Sequence, residues 1–121
     1  MSKIKASTAS APGNRRVKIQ IGVCKRMLKE VASYEKEVIT NEARVQKMRD
    51  DGKDIYDIRK QEEVLQESYM MIPDSKARCE ASIAELANIL EEVKEEQDLD
   101  NALITEANEM IATAELQQQI T

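Results

Sequence analysis

The most constraining feature of this sequence is a proline that lies inside a seven-residue apolar repeat. The repeat in the second half of the chain consists of Ile58, Leu65, Ile72, Cys79, Leu86 and Val93. Pro73 follows the third member directly, although a proline in a helix interior removes a backbone hydrogen bond and costs about 3 kcal/mol. Because a loop has no reason to preserve heptad phase, the pattern predicts one long helix that bends at Pro73 without ending there.

The first half of the chain carries a matching repeat. Its members are Val17, Cys24, Val31, Val38 and Val45, with Met27, Tyr34, Asn41 and Met48 on the second line of the same seam. Such spacing predicts a helix over residues 15–50, for which Asn14 is the expected N-cap. Ile21 and Leu28 widen the apolar stripe in the first part of this helix, so we expect more neighbours there.

A polar turn at residues 50–54 separates the two repeats. Gly52 suits the C-terminal end of the first helix, and Asp54 suits the N-cap of a second helix over residues 54–96. We therefore expect an antiparallel helical hairpin. Aligning the two seams around the turn pairs Val45 with Ile58, Val38 with Leu65, Val31 with Ile72, Cys24 with Cys79 and Val17 with Leu86.

A third, shorter helix is predicted over residues 100–119, capped by Asp98 or Asp100. Its apolar positions are Leu103, Ile104, Ala107, Met110, Ile111, Ala114 and Leu116. It must run antiparallel to the second helix and cover the part of that helix where Ile83, Ile89 and Leu90 widen the apolar stripe. The predicted fold is all-α: an elongated, antiparallel, coiled-coil-like three-helix bundle over residues 15–121, after a disordered tail at residues 1–14.

Composition agrees with a helical bundle and argues against several functions. The chain has 41% apolar and 34% charged residues, no Phe and no Trp, and a net charge of −5. Basic residues concentrate before residue 30 and acidic residues after residue 79, which we attribute to packing of the two ends and not to nucleic acid. No apolar run is long enough to span a membrane. Cys24 and Cys79 are interpreted as buried thiols in a reducing compartment.

The sequence lacks several residue types and motifs that are typical of enzymes. The sequence has no histidine, which excludes Ser-His-Asp and Cys-His arrangements and the Glu-x-x-His di-iron motif. No glycine-rich nucleotide-binding motif occurs, and we expect no cofactor and no metal site. A helical enzyme of the chorismate mutase kind would need Lys or Arg in the bundle interior, and the first seam has none. The chain is therefore predicted not to be an enzyme.

Several segments resemble the tubulin-binding cofactor A family over residues 15–97. The segments are Val17-Lys18-Ile19, Gly22-Val23-Cys24-Lys25-Arg26, Tyr34-Glu35-Lys36-Glu37, Tyr56-Asp57-Ile58, Lys60-Gln61-Glu62, Leu65-Gln66-Glu67-Ser68 and Met70-Met71-Ile72-Pro73-Asp74. The last two are the most specific. The chain departs from the family in its longer N-terminal tail, in Tyr69, where the family usually has Arg, and in Ser75, where Cys is common.

The resemblance implies a function in tubulin folding. A member of this family is a cytoplasmic, cytoskeleton-associated chaperone that binds and stabilises β-tubulin folding intermediates downstream of the cytosolic chaperonin, without nucleotide hydrolysis. Its partner would be β-tubulin, and other tubulin-folding cofactors indirectly, with no nucleic acid and no membrane. A monomer is expected, with a dimer left open. The alternative is a structural coiled-coil adaptor that acts through self-association.

The resemblance and the exposed helix faces together indicate where a partner would bind. Contacts would be spread along the helices, in three segments. The expected partner-binding residues are Tyr34, Glu35, Lys36, Glu37, Tyr56, Asp57, Arg59, Lys60, Glu67, Tyr69, Met70, Met71 and Asp74. Whether Met70 and Met71 face the seam or the partner stays open at the level of sequence.

Overall fold

The computed structural model describes residues 11–120, and the side chains of residues 11–117. Three helices account for nearly all of this range, and it contains no strand: α1 (Pro12–Asp50), α2 (Ile55–Val93) and α3 (Asn101–Ile120). The predicted all-α class is confirmed. Most of the predicted N-terminal tail, residues 1–10, lies outside the described residues, whereas Pro12, Gly13 and Asn14 are already helical.

The turn between α1 and α2 has the hydrogen bonds expected of a glycine-terminated helix. Gly52 has φ of 67°, in the left-handed region that a glycine enters without steric cost. Its N–H donates to the carbonyl of Arg49 (3.1 Å), and the N–H of Lys53 donates to that of Met48 (3.0 Å). This pair of bonds is the Schellman motif, which satisfies carbonyls at the end of α1 and reverses the chain.

Helix α2 runs through Pro73 without interruption, as the heptad phase predicts. Pro73 is exposed, so its ring lies away from the seam. Two residues later the buried hydroxyl of Ser75 donates to the carbonyl of Ile72 (3.0 Å). Back-bonding of this kind from serine to the preceding turn is associated with bent helices, and the bend at Pro73 stays a prediction.

The chain forms two compact units. The first contains residues 1–26 and 80–121, and its described part holds segments of all three helices around one core. The core consists of Val17, Ile21, Cys24, Ile83, Leu86, Ile89, Val93 and Ala107, with Leu90, Leu99, Leu103, Ile104, Met110, Ile111 and Ala114 packed against it. The predicted apolar face of α3 is therefore present, except that Leu116 is exposed.

The start of α1 docks on the α2–α3 connection in this unit. The Gly13 N–H donates to Oε1 of Glu96 (3.0 Å), and a Cβ at Gly13 would lie 2.9 Å from Val93. Asn14 lies inside the helix, so its predicted role as N-cap is wrong. Its side chain instead donates to the carbonyl of Asp98 (3.0 Å) and accepts from the N–H of Asp100 (2.7 Å). Asn14 thereby satisfies backbone groups of the connection.

Two other boundaries also differ from the prediction. Helix α2 ends at Val93 and not at residue 96, because the Glu96 N–H bonds back to the Val93 carbonyl in a tighter turn and Asp98 adopts a φ of 65°. Helix α3 begins at Asn101, with the carboxylate of Asp100 accepting from the N–H of Ala102 (2.9 Å). Asp100 is thus the N-cap, one of the two candidates given by the sequence.

The second unit comprises residues 27–79 and is an antiparallel hairpin of α1 and α2. Its interior contains a polar cluster on the seam. Buried Asn41 donates to the hydroxyl of Ser68 (2.7 Å) and accepts from the amide of Gln61 (3.5 Å), while Ser68 donates to the carbonyl of Val64 (3.0 Å). No buried side-chain nitrogen or oxygen in the described residues lacks a hydrogen-bond partner.

These contacts correct the predicted register. Asn41 reaches Gln61 and Ser68, which lie on either side of Leu65, so Asn41 is level with Leu65, and Val38 with Ser68. The predicted layers of the hairpin are therefore displaced by about three residues along α2. In the first unit the carbonyl of Ser82 accepts from both the Cys24 thiol (3.3 Å) and the Gln20 amide (2.9 Å), which places Ser82 level with the turn of α1 between them.

A line of buried serines accounts for this displacement. Ser68, Ser75 and Ser82 recur every seven residues and are 3%, 0% and 7% exposed. The predicted register was aligned on the apolar positions alone. The hydroxyls of Ser68 and Ser75 donate to the carbonyls of Val64 and Ile72 on their own helix, so both serines are satisfied inside the seam. Leu28, predicted to widen the stripe, is 38% exposed.

Candidate functional site

All of the predicted partner-binding residues lie in the second unit, but the structure places them on different surfaces of the hairpin. The largest group shares the solvent-exposed side of α2, which we call the α2 outer face. Tyr56, Lys60, Glu63, Glu67, Met70 and Asp74 are spaced alternately four and three residues apart, and all are exposed. This spacing places side chains on one face of a helix. Arg59 is also exposed, next to Lys60.

Two apolar side chains mark this face. Tyr56 is 69% exposed and Met70 is 70% exposed, and they lie about 21 Å apart at about 1.5 Å per residue. Charged residues separate them: Lys60 is followed by Glu63 and Glu67. A tyrosine and a methionine on a polar helix face offer two anchors for an apolar partner, because methionine adapts to irregular surfaces and tyrosine has apolar and polar parts.

Met70 and Met71 differ in their exposure to solvent. Met70 points to solvent from the α2 outer face, whereas Met71 is half-buried on the neighbouring side of the helix. Asp57, seven residues before Val64 and fourteen before Met71, shares that side. Val64 is 44% exposed, so this edge adds apolar area next to the outer face. Val64 was not among the predicted residues, because it lies between two of the segments that carry the family resemblance.

A ladder of polar pairs covers the opposite edge of the hairpin. Arg49 pairs with Glu62, the Tyr69 hydroxyl donates to Glu42, and Lys76 pairs with Glu35 (3.8 Å). On each helix the three members are seven residues apart. The hydrogen bond to Glu42 raises the pKa of Tyr69 above its usual value, because the carboxylate stabilises the protonated phenol. Tyr69 and Glu35 therefore bridge the two helices.

The predicted segment on α1 does not form one surface with the α2 outer face. Tyr34 is half-buried on the seam, and Lys36 is exposed on the far side of α1. Glu37 is exposed at the edge that carries Met71. The solvent side of α1 at Lys36 and Ile39, which we call the α1 outer face, carries an apolar residue that was not predicted, since Ile39 has 66% of its surface exposed. Its position directly after the seam residue Val38, outside the heptad seam, is the sequence signal that would have found it.

Ion pairs and thiols add little reactivity to this unit or to the other. The Glu30 carboxylate (2.5 Å) and Asp74 raise the pKa of the Arg78 guanidinium, in exposed pairs that contribute little stability. In the first unit, burial raises the pKa of the Cys24 thiol despite its bond to Ser82, which disfavours the nucleophilic thiolate. Neither cysteine is in a disulfide.

The described residues contain no metal-binding group and no membrane-spanning helix. Within that part of the chain, no three His, Cys, Asp or Glu side chains gather in a way that would hold a metal ion. None of its helices combines the length and the apolar character that crossing a bilayer requires. The three helices and their exposed faces place the chain in the class of small all-α proteins.

The sequence also matches that of a known family. Residues 12–111 match the family described as Tubulin binding cofactor A. The chain is 43% identical to Tubulin-folding cofactor A of Arabidopsis thaliana over 103 residues, covering 85% of this chain and 91% of that one. It is 48% identical to Tubulin-specific chaperone A of Homo sapiens over 91 residues, covering 75% and 82%. This chain belongs to the tubulin binding cofactor A family, a family of tubulin chaperones.

Solved structures agree with this assignment. The crystal structure of tubulin folding cofactor A from Arabidopsis thaliana superposes with a TM-score of 0.76 at 42% identity, covering 85% of this chain and 95% of that one. The crystal structure of recombinant tubulin-binding cofactor A from Leishmania major gives a TM-score of 0.75 at 27% identity, covering 88% and 97%. The three-helix architecture is thus shared with relatives of low sequence identity.

Proposed function

We propose that this protein is a tubulin-folding cofactor that binds and stabilises folding intermediates of β-tubulin after their release from the cytosolic chaperonin. Family membership supports tubulin as the partner. In this proposal the protein is cytoplasmic and cytoskeleton-associated, acts without hydrolysing nucleotide, and meets other tubulin-folding cofactors only through its client. The observation that carries the proposal is the α2 outer face, with exposed Tyr56 and Met70 among charged neighbours.

A preformed helix face suits this task for a physical reason. The residues of the α2 outer face are ordered before the client arrives, so binding costs little backbone entropy. Tyr56 and Met70 would cover apolar surface that a tubulin intermediate exposes, and Lys60, Glu63 and Glu67 would set orientation and disfavour self-association. The seam of the hairpin stays intact during binding because its polar cluster at Asn41 is satisfied internally.

The experiment is capture of tubulin released from chaperonin, read in native gels. We expect the full chain to form a discrete complex with β-tubulin and none with α-tubulin. Met70→Ser combined with Tyr56→Ser should weaken capture by about ten- to a hundred-fold, since apolar anchors at interfaces contribute about 1–3 kcal/mol. Ile39→Ser is the matched control, because it removes a similarly exposed apolar side chain from the α1 outer face. Equal capture of α- and β-tubulin would contradict the proposal.

The adaptor alternative predicts a different outcome in sedimentation. The second unit leaves Ile55 (52% exposed), Val64 and Tyr56 accessible, and an adaptor would bury them against a second copy. A monomer whose sedimentation coefficient does not change with concentration would exclude this function. A dimer that Met70→Ser and Tyr56→Ser dissociate, in a protein that captures no tubulin, would favour it.

A further inference from the structure

The α1 segment of the first unit carries a basic surface whose charge the fold does not neutralise. Its solvent side, which we call the α1 basic face, consists of Arg15, Lys18, Ile19, Gly22, Lys25 and Arg26. These residues are spaced three and four apart, opposite Val17, Ile21 and Cys24 of the core. No acidic residue occurs between Pro12 and Lys29.

The acidic α2 and α3 segments compensate this charge only in part. Arg16, at the edge of the face, pairs with Glu92 (2.6 Å), and Lys25 pairs with Glu106 (2.9 Å). Arg15, Lys18 and Arg26 are exposed and form no ion pair within residues 11–117. Packing of the two ends, the predicted cause of the polarised charge, accounts for Arg16 and Lys25 but not for these three.

The position of these cations in the helix is also unfavourable in the isolated protein. Arg15 and Lys18 are separated by three residues, a spacing at which like charges repel. The N-terminus of α1 already has an acidic partner, because the Glu96 carboxylate accepts from the Gly13 N–H (3.0 Å), so the repulsion between the two cations is what remains uncompensated. A bound anionic group would relieve that repulsion. Ile19, 58% exposed, lies between the cations and adds an apolar contact.

We infer that the α1 basic face binds an acidic polypeptide segment that contains aliphatic residues. The net negative charge of the protein favours a short acidic peptide over larger polyanions as the partner. With a net charge of −5 and acidic surfaces on the rest of the unit, the chain is repelled by an extended anionic membrane or a nucleic acid. A short peptide lying along α1 avoids most of that repulsion. The face has no aromatic residue on which a base would stack.

The test uses the full chain and a fluorescein-labelled peptide of repeated Glu-Glu-Leu, with a Lys-Lys-Leu peptide as its reference. Anisotropy should show binding of the acidic peptide that weakens at least tenfold between about 50 and about 300 mM salt, because exposed charges are screened. Replacing Arg15, Lys18 and Arg26 by Gln should weaken binding about tenfold at low salt. Ile19→Ser alone should weaken it about threefold.

The control is a second triple variant in the other unit, with Arg44, Lys47 and Lys53 replaced by Gln, which removes the same charge. We expect it to bind within about twofold of the parent. Equal losses in both triple variants would show non-specific attraction and overturn the inference. Tighter binding to a phosphatidylserine vesicle or to a DNA oligonucleotide than to the peptide would also overturn it. So would self-association that the first triple variant abolishes, since the occupant would then be a second copy.

Discussion

The side-chain amide of Asn41 donates a hydrogen bond to the hydroxyl of Ser68 across the seam of the hairpin, over 2.7 Å, and both residues are buried. Because Gln61 bonds to the same side chain, Asn41 holds α1 and α2 in one register. A buried polar residue that is satisfied in one alignment only is a known means of fixing register in coiled coils. The register in turn determines which residues of α2 face solvent.

Asn41→Ala is expected to lower the free energy of unfolding by about 1–3 kcal/mol, since it leaves Ser68 and Gln61 with fewer partners in a buried site. Urea denaturation measures the loss. The double variant Asn41→Ala with Ser68→Ala should be less destabilised than the sum of the single variants, by about 0.5–1.5 kcal/mol. Strict additivity would show that the two side chains are not coupled.

The first glycine of α1 is expected to resist substitution. A Cβ at Gly13 would lie 2.8 Å from Oε1 of Glu96 and 2.9 Å from Val93, so Gly13→Ala should cost about 1–3 kcal/mol through overpacking. Gly22→Ala is the control. The nearest atom to its added Cβ would be 3.7 Å away on the Arg26 guanidinium, and the change should stabilise the helix by about 0.5–1 kcal/mol. Thermal unfolding of Gly13→Ala and Gly22→Ala tests these two expectations. Equal changes in Tm would contradict them.

Pro73→Ala is expected to keep or raise stability, by about 1–3 kcal/mol, because α2 is helical on both sides of an exposed proline. Calorimetry would detect the gain as a higher Tm. A variant that is more stable but captures tubulin less well would show that the bend positions Met70 and Asp74. Marked destabilisation would show instead that the fold requires a proline at this position.

The stability of the first unit should fall at alkaline pH in a way that depends on Cys24. Burial raises the pKa of its thiol in the folded protein, so the protonated form stabilises the fold below the pKa of the unfolded thiol. That contribution is lost as pH rises through the folded pKa. The measurement is the drop in Tm between neutral pH and a pH above about 9. We expect this drop to be smaller in Cys24→Ala than in the parent protein. Parallel curves would contradict this expectation.

Much of the fold follows from sequence because period and helix propensity are local properties. The heptad repeats predicted α1 and α2, and the unbroken phase showed that α2 passes through Pro73. The Gly52 turn and the Asp100 cap were predictable because a left-handed backbone and orphan amide groups demand particular residues. The exposed Tyr56 and Met70 were also among the predicted site residues.

The structure decided what depends on contacts between distant residues. A seven-residue period leaves the relative offset of two helices open, and in the hairpin the offset is set by hydrogen bonds of Asn41 with Gln61 and Ser68 that no apolar pattern records. Asn14 became a bridge to the α2–α3 connection because Gly13 allows α1 to approach Val93. The sequence by itself therefore determined the helices and their apolar sides. Tertiary structure determined the register, and with it which side chains remain exposed for a partner, because burial and hydrogen bonding across the seam depend on the fold as a whole.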